Sequence, residues 1–270
     1  MIKRILCALM SLGLLAACST APRLVIIHTN DTHSHFEPLR SGEQAGLGGV
    51  VERAAFVDSV RQAYGADKVL LLHAGDFGQG TSYFTQLEGT FEPKIINDLK
   101  YDVVTLGNHE FDNNIEALTD RLAMLDSAKV ISANIDISQF KLADYVKPYA
   151  IVNRGGMKIG LIGLESNLST NVSATVSSRF SQFDNVEVTN RWAEYLHTEE
   201  GCDLIILLSH LGYDADQALV PQTRHIDIVI GGHSHTFVDG FVYVKDLDGH
   251  EVPIITDGCW GLEMGLIEVR

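Results

Sequence analysis

Gly107-Asn108-His109-Glu110-Phe111-Asp112 is the stretch that decides how the rest of the chain is read. It follows the apolar run Tyr101-Asp102-Val103-Val104-Thr105-Leu106 and precedes a helical pattern that begins near Asn113. The hexapeptide therefore reads as a turn at the C-terminal end of a strand, where open α/β sheets place their chemistry. Gly107 permits a positive φ or a close approach by another group. Asn108 offers an amide oxygen to a hard cation. His109 can move a proton near neutral pH. Asp112, three residues on, can cap the helix or orient His109. Taken alone, the hexapeptide reads equally well as a strand–turn–helix with an Asn/Asp cap.

Working outward, the same pattern recurs. Residues 23–29 are β-rich and end in Asn30-Asp31-Thr32-His33. Residues 69–73 are continuously apolar and end in Ala74-Gly75-Asp76. Residues 204–208 end at Ser209-His210, and residues 226–230 run into Gly231-Gly232-His233-Ser234-His235. With residues 103–106, five strand-like runs end in Asp, Asn or His. A lone histidine at a strand end is ordinarily a hydrogen-bonded structural residue. Five such clusters at one topological position are hard to explain that way; if neighbouring strands align, they converge on one rim.

The intervening segments read as helices, hairpins and loops. Apolar spacing predicts a helix over residues 50–64, with Val50, Ala54, Val57 and Val60 on one side. Residues 84–99 read as a second helical region broken by Pro93, and residues 115–125 and 188–197 as further helices. Residues 130–134 read as a strand, and residues 151–163 as a hairpin turning at Gly155-Gly156. Residues 41–49 form a Gly-rich loop and residues 168–183 a surface excursion rich in Ser, Thr and Asn. The tail, residues 241–244, 252–255 and 262–269, reads as antiparallel strands with a turn at Asp248-Gly249.

Composition bounds the possibilities. The first 18 of the 270 residues look like a targeting segment, with a basic start at Lys3 and Arg4 and an apolar core too short to span a bilayer permanently. It ends Leu15-Ala16-Ala17-Cys18, which resembles a bacterial lipoprotein signal in which Cys18 would be lipidated. The alternative is an ordinary secretory signal. The rest, residues 19–270, suits one large α/β domain, or two small ones, with a sizeable core. The formal charge of −15 argues against non-specific binding to nucleic-acid polymers but not against a small anion held by metals. Cys202 and Cys259 would either pair in an oxidising periplasm or remain two free buried thiols.

Asp, His and Asn without Cys form a ligand set suited to Zn, Mn, Fe or Co rather than to a structural Cys-type zinc. The ligands are too many for one ion and about right for two sharing a carboxylate. Such a pair acidifies water and clamps the oxygens of a displacement at phosphorus. His109 would protonate the leaving group or stabilise phosphoryl charge, with Asp112 holding its ring.

Asp31-x-His33, Gly75-Asp76, Gly107-Asn108-His109-Glu110, His210 and Gly232-His233-x-His235 together resemble the calcineurin-like metallophosphoesterases. Within them, His28-Thr-Asn-Asp-Thr-His33 and the Gly107 hexapeptide resemble the exported 5′-nucleotidase branch. That branch includes UDP-sugar hydrolases and 2′,3′-cyclic-nucleotide phosphodiesterases. The resemblance implies a four-layer α/β sandwich, two mixed sheets packed together with helices outside. It implies that Asp31, His33 and His235 hold one metal, that Asn108, His210 and His233 hold the other, and that Asp76 bridges them. His109 and Asp112 would be the catalytic pair. The implied activity is hydrolysis of phosphate esters, nucleotides foremost, at the periplasmic face of a bacterial membrane.

Two departures stand out. Some exported nucleotidases carry Gln or Asn where this chain has His235. They also usually add a second, substrate-binding domain, for which nothing remains after Arg270. That domain is then a separate polypeptide, a truncated part, or unneeded for a simpler substrate, in that order of expectation. Two further readings keep the residues and change the role: a lipoprotein whose metal site has no useful turnover, and a thiosulfohydrolase-like cleavage of a sulfur–sulfur bond. Outside the set, His28 and His73 read as core histidines, His35 as a neighbour of the ligands, and His197, His225 and His250 as peripheral. Glu110 reads as a support for the backbone of its motif, and Trp192 and Trp260 as core packing.

Overall fold

The computed structural model describes residues 21–270; the targeting segment and Cys18 lie outside the described residues. Among the described residues, fourteen strands and eight α-helices alternate along the chain. The first half runs β1 (Leu24–Thr29), α1 (Val50–Tyr64), β2 (Val69–His73), α2 (Ser82–Leu87), α3 (Glu92–Leu99), β3 (Val103–Thr105), α4 (Asn114–Leu122), β4 (Lys129–Ile131), β5 (Ile135–Asp136) and β6 (Val146–Lys147). The second half runs β7 (Tyr149–Arg154), β8 (Met157–Leu164), α5 (Leu168–Asn171), α6 (Ala174–Ser177), β9 (Ser181–Gln182), α7 (Asn185–Thr198), β10 (Leu204–Ser209), α8 (Tyr213–Leu219) and β11 (Ile228–Ile230). It closes with β12 (Val242–Lys245), β13 (Glu251–Ile255) and β14 (Gly265–Val269).

Two six-stranded sheets result, in the orders β14-β1-β2-β3-β4-β6 and β12-β13-β11-β10-β8-β7, with β5 and β9 forming a small pair. Both are mixed. In the first, β1, β2, β3, β4 and β6 run parallel and β14 lies antiparallel on β1. In the second, β8, β10, β11 and β13 run parallel between antiparallel β7 and β12.

Strict alternation in the buried strands explains the layering. Leu24 and Ile26 of β1 face the second sheet, packing with Leu70, Leu72, Leu161, Ile206 and Ile230. Val25 and Ile27 point the other way, into a cluster with Val57, Val60, Ile96, Leu118 and Leu122 from the helices. A third cluster joins Ile162, Ile205, Leu207 and Val229 of the second sheet to Val188, Ala193 and Leu196 of α7. Three apolar interfaces separate four layers, helix–sheet–sheet–helix, as expected. Strands buried on both faces read as continuous hydrophobic runs.

Several elements differ from the reading of the sequence. Residues 84–99 are two helices, broken not at Pro93 but at residues 88–91. Glu88 takes a left-handed conformation there, and Pro93 sits in the first turn of α3, where its missing N–H costs nothing. The strand expected over 130–134 ends at Ile131, and the last tail strand begins at Gly265 rather than at 262. The tail also divides between sheets, β12 and β13 going to the second and β14 to the first. The excursion over 168–183 folds into two one-turn helices and β9. Cys202 and Cys259 are separate thiols, so the disulfide alternative is not realised.

Candidate metal centre

The parallel strands β1, β2, β3, β10 and β11 deliver their carboxyl ends to one rim, and the expected residues meet there. Asp31, His33 and His235 form one group, and Asp76, His210 and His233 a second, with one ligand atom from each member within 4.8 Å of the others in its group. The groups touch: Asp76 Oδ2 lies 3.1 Å from His210 Nε2 in its own group and 3.8 Å from His33 Nε2 in the other. Asp76 thus occupies the position of a shared carboxylate.

The local backbone is bent to make this happen. Asp31, His33, Asp76, His233 and His235 all have positive φ, 48°, 45°, 55°, 72° and 53°. Left-handed non-glycine residues are costly and gather where a site over-determines them. Gly107 is extended, φ −118°, so it serves close approach and not a left-handed turn. A Cβ there would stand 2.3 Å from Asp76 Oδ1.

Neighbouring polar groups fix which atoms face the centre. His210 Nδ1 donates to the Ala74 carbonyl at 2.7 Å, and His33 Nδ1 to the Gly78 carbonyl at 3.3 Å. Each ring is thereby locked with the Nε2 lone pair turned inward, as metal-binding histidines are held. His235 Nε2 lies 2.9 Å from His33 Nε2 and 3.4 Å from Asp31 Oδ1. Asp31 is held from behind by the Asn30 amide at 2.6 Å and the His233 N–H at 2.9 Å. Glu110 accepts backbone N–H groups of Gly107, Asp76 and Gly78 at 2.7, 2.9 and 3.0 Å, which ties the β2 and β3 loops together and bears out its reading as a backbone support.

The electrostatics favour cations. Burial alone would raise the Asp76 carboxyl, but His210 outweighs it and holds Asp76 below the usual carboxylate range. Burial lowers His33 and His233, keeping them neutral. The Asp31 carboxylate, with the Cys259 thiol, raises His235 to about 10; a divalent cation at the same point would replace that proton. Asn108 Oδ1 is buried without a hydrogen-bond partner among the described residues. An unpartnered buried amide oxygen, two carboxylates and four converging imidazoles form a donor set that fits two borderline divalent ions.

Beside this centre stands His109. Its Nδ1 donates to Asp112 Oδ2 at 2.8 Å, which raises its pKa, and its ring lies 5.3 Å from that of His33. Asp112 therefore orients His109 rather than capping α4. At Asp112 an open cleft of about 1140 Å³ begins, walled by Thr81, Thr85, Asn114 and Thr175.

The remaining histidines divide as the sequence suggested. His28 pairs with buried Asp257 at 2.6 Å. His73 bonds Thr32 at 3.0 Å, and burial lowers its pKa to about 3. His197 and His225 stack at the periphery. His250 belongs to the β12–β13 turn, where Asp246 Oδ1 accepts the N–H groups of Asp248 and His250. His35 donates to the His33 carbonyl and stacks on Trp260. Trp260 is a correction: it is half-buried, left-handed at φ 61°, and its N–H binds the Asp31 carbonyl at 2.7 Å. Trp192 packs with Tyr149 and Tyr195. Sequence reasoning missed Asn30, although it directly precedes Asp31, and Asn171, which carries no local signal.

The sequence profile of the calcineurin-like phosphoesterases matches residues 24–237. A snake venom 5′-nucleotidase from Gloydius brevicauda is 34% identical over 91% of this chain and 45% of its own length. Among solved structures, a 5′-nucleotidase precursor from Thermus thermophilus superposes with a TM-score of 0.82 at 34% identity, covering 92% of this chain and 51% of that one. The NAD nucleotidase of Haemophilus influenzae gives 0.80 at 29% identity, covering 90% and 52%. The chain spans about half the length of these relatives.

Proposed function

The chain belongs to the calcineurin-like phosphoesterase family, and from that premise we propose that it hydrolyses phosphate monoesters, nucleotides foremost, with two divalent ions. The observation that carries the reading is the meeting of two ligand groups at Asp76 with the His109–Asp112 pair alongside. Asp31, His33 and His235 would hold one ion, Asn108, His210 and His233 the other, and Asp76 both. When bound, the ions supply Lewis acidity toward phosphoryl oxygens and acidify water.

The chain's own residues do the rest. Asp112 keeps the His109 Nδ1 proton in place, which leaves Nε2 to deliver a proton to the departing oxygen. Glu110 and Gly107 hold His109 and Asn108 in register with Asp76. The cleft that starts at Asp112 receives the alcohol that leaves. Its wall sets the hydroxyls and amides of Thr81, Thr85 and Asn114 beside the apolar Phe84, Met124 and Val176, a mixture that suits a nucleoside as leaving group.

Localisation and partner are part of the same proposal. Export with a lipid at Cys18 would place the enzyme at the periplasmic face of a membrane. Among the described residues no helix is long and apolar enough to cross one. A separate substrate-binding polypeptide would complete recognition.

Phosphate release by metal-free protein reloaded with Mn²⁺, Zn²⁺ or Co²⁺ tests the reading, with AMP and a small aryl phosphate as substrates. Cleavage of AMP supports a nucleotidase. Aryl phosphate cleavage alone keeps the hydrolase and makes the missing recognition a partner's task. With two ions bound, failure on both substrates refutes the reading.

A further inference from the structure

The excursion between β8 and α7 reaches back over the metal centre. Its one-turn helix α5 ends at Asn171, whose side-chain Nδ2 lies 3.3 Å from His233 Nε2. The contact is not made by a loose loop. Leu168 and Val172, on either side, are buried in the helix-side core. The Asn171 N–H closes on the Asn167 carbonyl at 3.1 Å.

His233 has two ring nitrogens, and only one can face a cation. The Nε2 edge is turned outward: Nε2 meets Asn171, and a Cβ on Gly212 would stand 3.5 Å from the adjacent Cδ2. That leaves Nδ1 as the His233 atom to join Asp76 and His210, with which the residue is grouped. A neutral imidazole that offers its Nδ1 lone pair must carry its proton on Nε2. That proton needs an acceptor, and ligating histidines are held by such an acceptor on the opposite nitrogen. His33 and His210 use backbone carbonyls for this purpose.

We propose that Asn171 is the positioning residue for His233, its amide turned over so that the oxygen takes the place of Nδ2 and accepts Nε2–H, which aims Nδ1 at the second ion. The amide nitrogen then takes the place of Oδ1 beside the Thr170 hydroxyl, 3.3 Å away, which can accept as readily as donate. The inference rests on the two-ion reading of the site. It assigns the excursion a task that no strand end performs: locking a ligand whose outward nitrogen is given no backbone carbonyl to bind.

Calorimetric titration of the metal-free chain with Mn²⁺ or Zn²⁺ tests it without any turnover. Asn171→Leu removes the acceptor at similar volume, and the second ion should bind about 10- to 100-fold more weakly, the usual effect of losing such a partner. The first ion, at Asp31, His33 and His235, should be unaffected, which also reports that the variant is folded. Asn171→Asp offers only acceptors and should restore second-ion affinity. Equal second-ion affinity in Asn171→Leu and the parent overturns the proposal, and so does Asn171→Asp binding as weakly as Asn171→Leu. Should the parent itself bind one ion only, the two-ion reading fails and the role of Asn171 with it.

Discussion

At the scale of single residues, the site separates groups that hold charge from groups that move it. The inward nitrogens of His33 and His210 are aimed by carbonyls behind them, which suits these rings to holding a cation in place. His109 differs. Its Nδ1 is bound to Asp112 rather than to a carbonyl, and the pair is about one-third exposed. A carboxylate partner favours the imidazolium, which is the form that can give a proton to a leaving oxygen. His109→Ala should therefore leave metal content intact and lower turnover by roughly 10²- to 10⁴-fold, the usual share of acid–base catalysis. Metal analysis alongside steady-state kinetics checks both halves. Unchanged turnover would remove His109 from the proton path.

At the scale of elements, the strand ends carry the site, and this is why so much of it was legible. Asp31, Asp76, Asn108, His210 and His233 each end a buried apolar strand, and period and punctuation are strong local signals. What was not legible is non-local. Whether β14 joins β1 or β13 depends on the antiparallel pairing of Leu24 with Val269 across most of the chain. That β14 begins at Gly265 follows from His28, whose ring would lie 2.0 Å from any Cβ there. Asn171 reaches His233 only because the excursion folds over the rim. Gly107 shows the limit of reading a residue type: its freedom of φ is unused, and its missing side chain is what matters. Asp76 Oδ1 and the Asp76 N–H would both lie within 2.4 Å of a Cβ at residue 107. Gly107→Ala must push β3 away from β2 or displace the shared carboxylate. We expect about 1–3 kcal/mol lost from stability, as for an overpacked core, together with incomplete metal loading. Chemical denaturation and metal analysis of the variant measure the two effects, and a fully loaded variant of parental stability would contradict this account of Gly107.

At the scale of the whole molecule, the site is assembled from residues 31 to 235, so it exists only when both sheets are in place. The proposed ligands lie on strand ends of the first sheet (Asp31, His33, Asp76, Asn108) and of the second (His210, His233, His235). A cation held between them therefore joins the sheets in addition to the apolar interface of Leu24, Leu72, Ile206 and Ile230. Without cations, that rim concentrates two fully buried carboxylates, and it packs His33 and His235 with their Nε2 atoms 2.9 Å apart. The unfolded chain scatters these groups and has little affinity for the ion, so binding free energy becomes folding free energy. One site filled at a hundredfold excess over its Kd adds about 2.7 kcal/mol. For a chain of this size each kcal/mol moves Tm by roughly 2–4 °C. Thermal unfolding in Mn²⁺ should therefore occur ~5–10 °C above unfolding in a chelator, and the gap should grow with metal concentration. Asp31→Asn, which weakens a ligand on one sheet only, should shrink the gap, and the chelated Tm should fall as well, because the charge that pairs with His235 is gone. A Tm indifferent to metal would mean that the converged side chains hold no ion across the two sheets, and the catalytic reading built on them would fall with it.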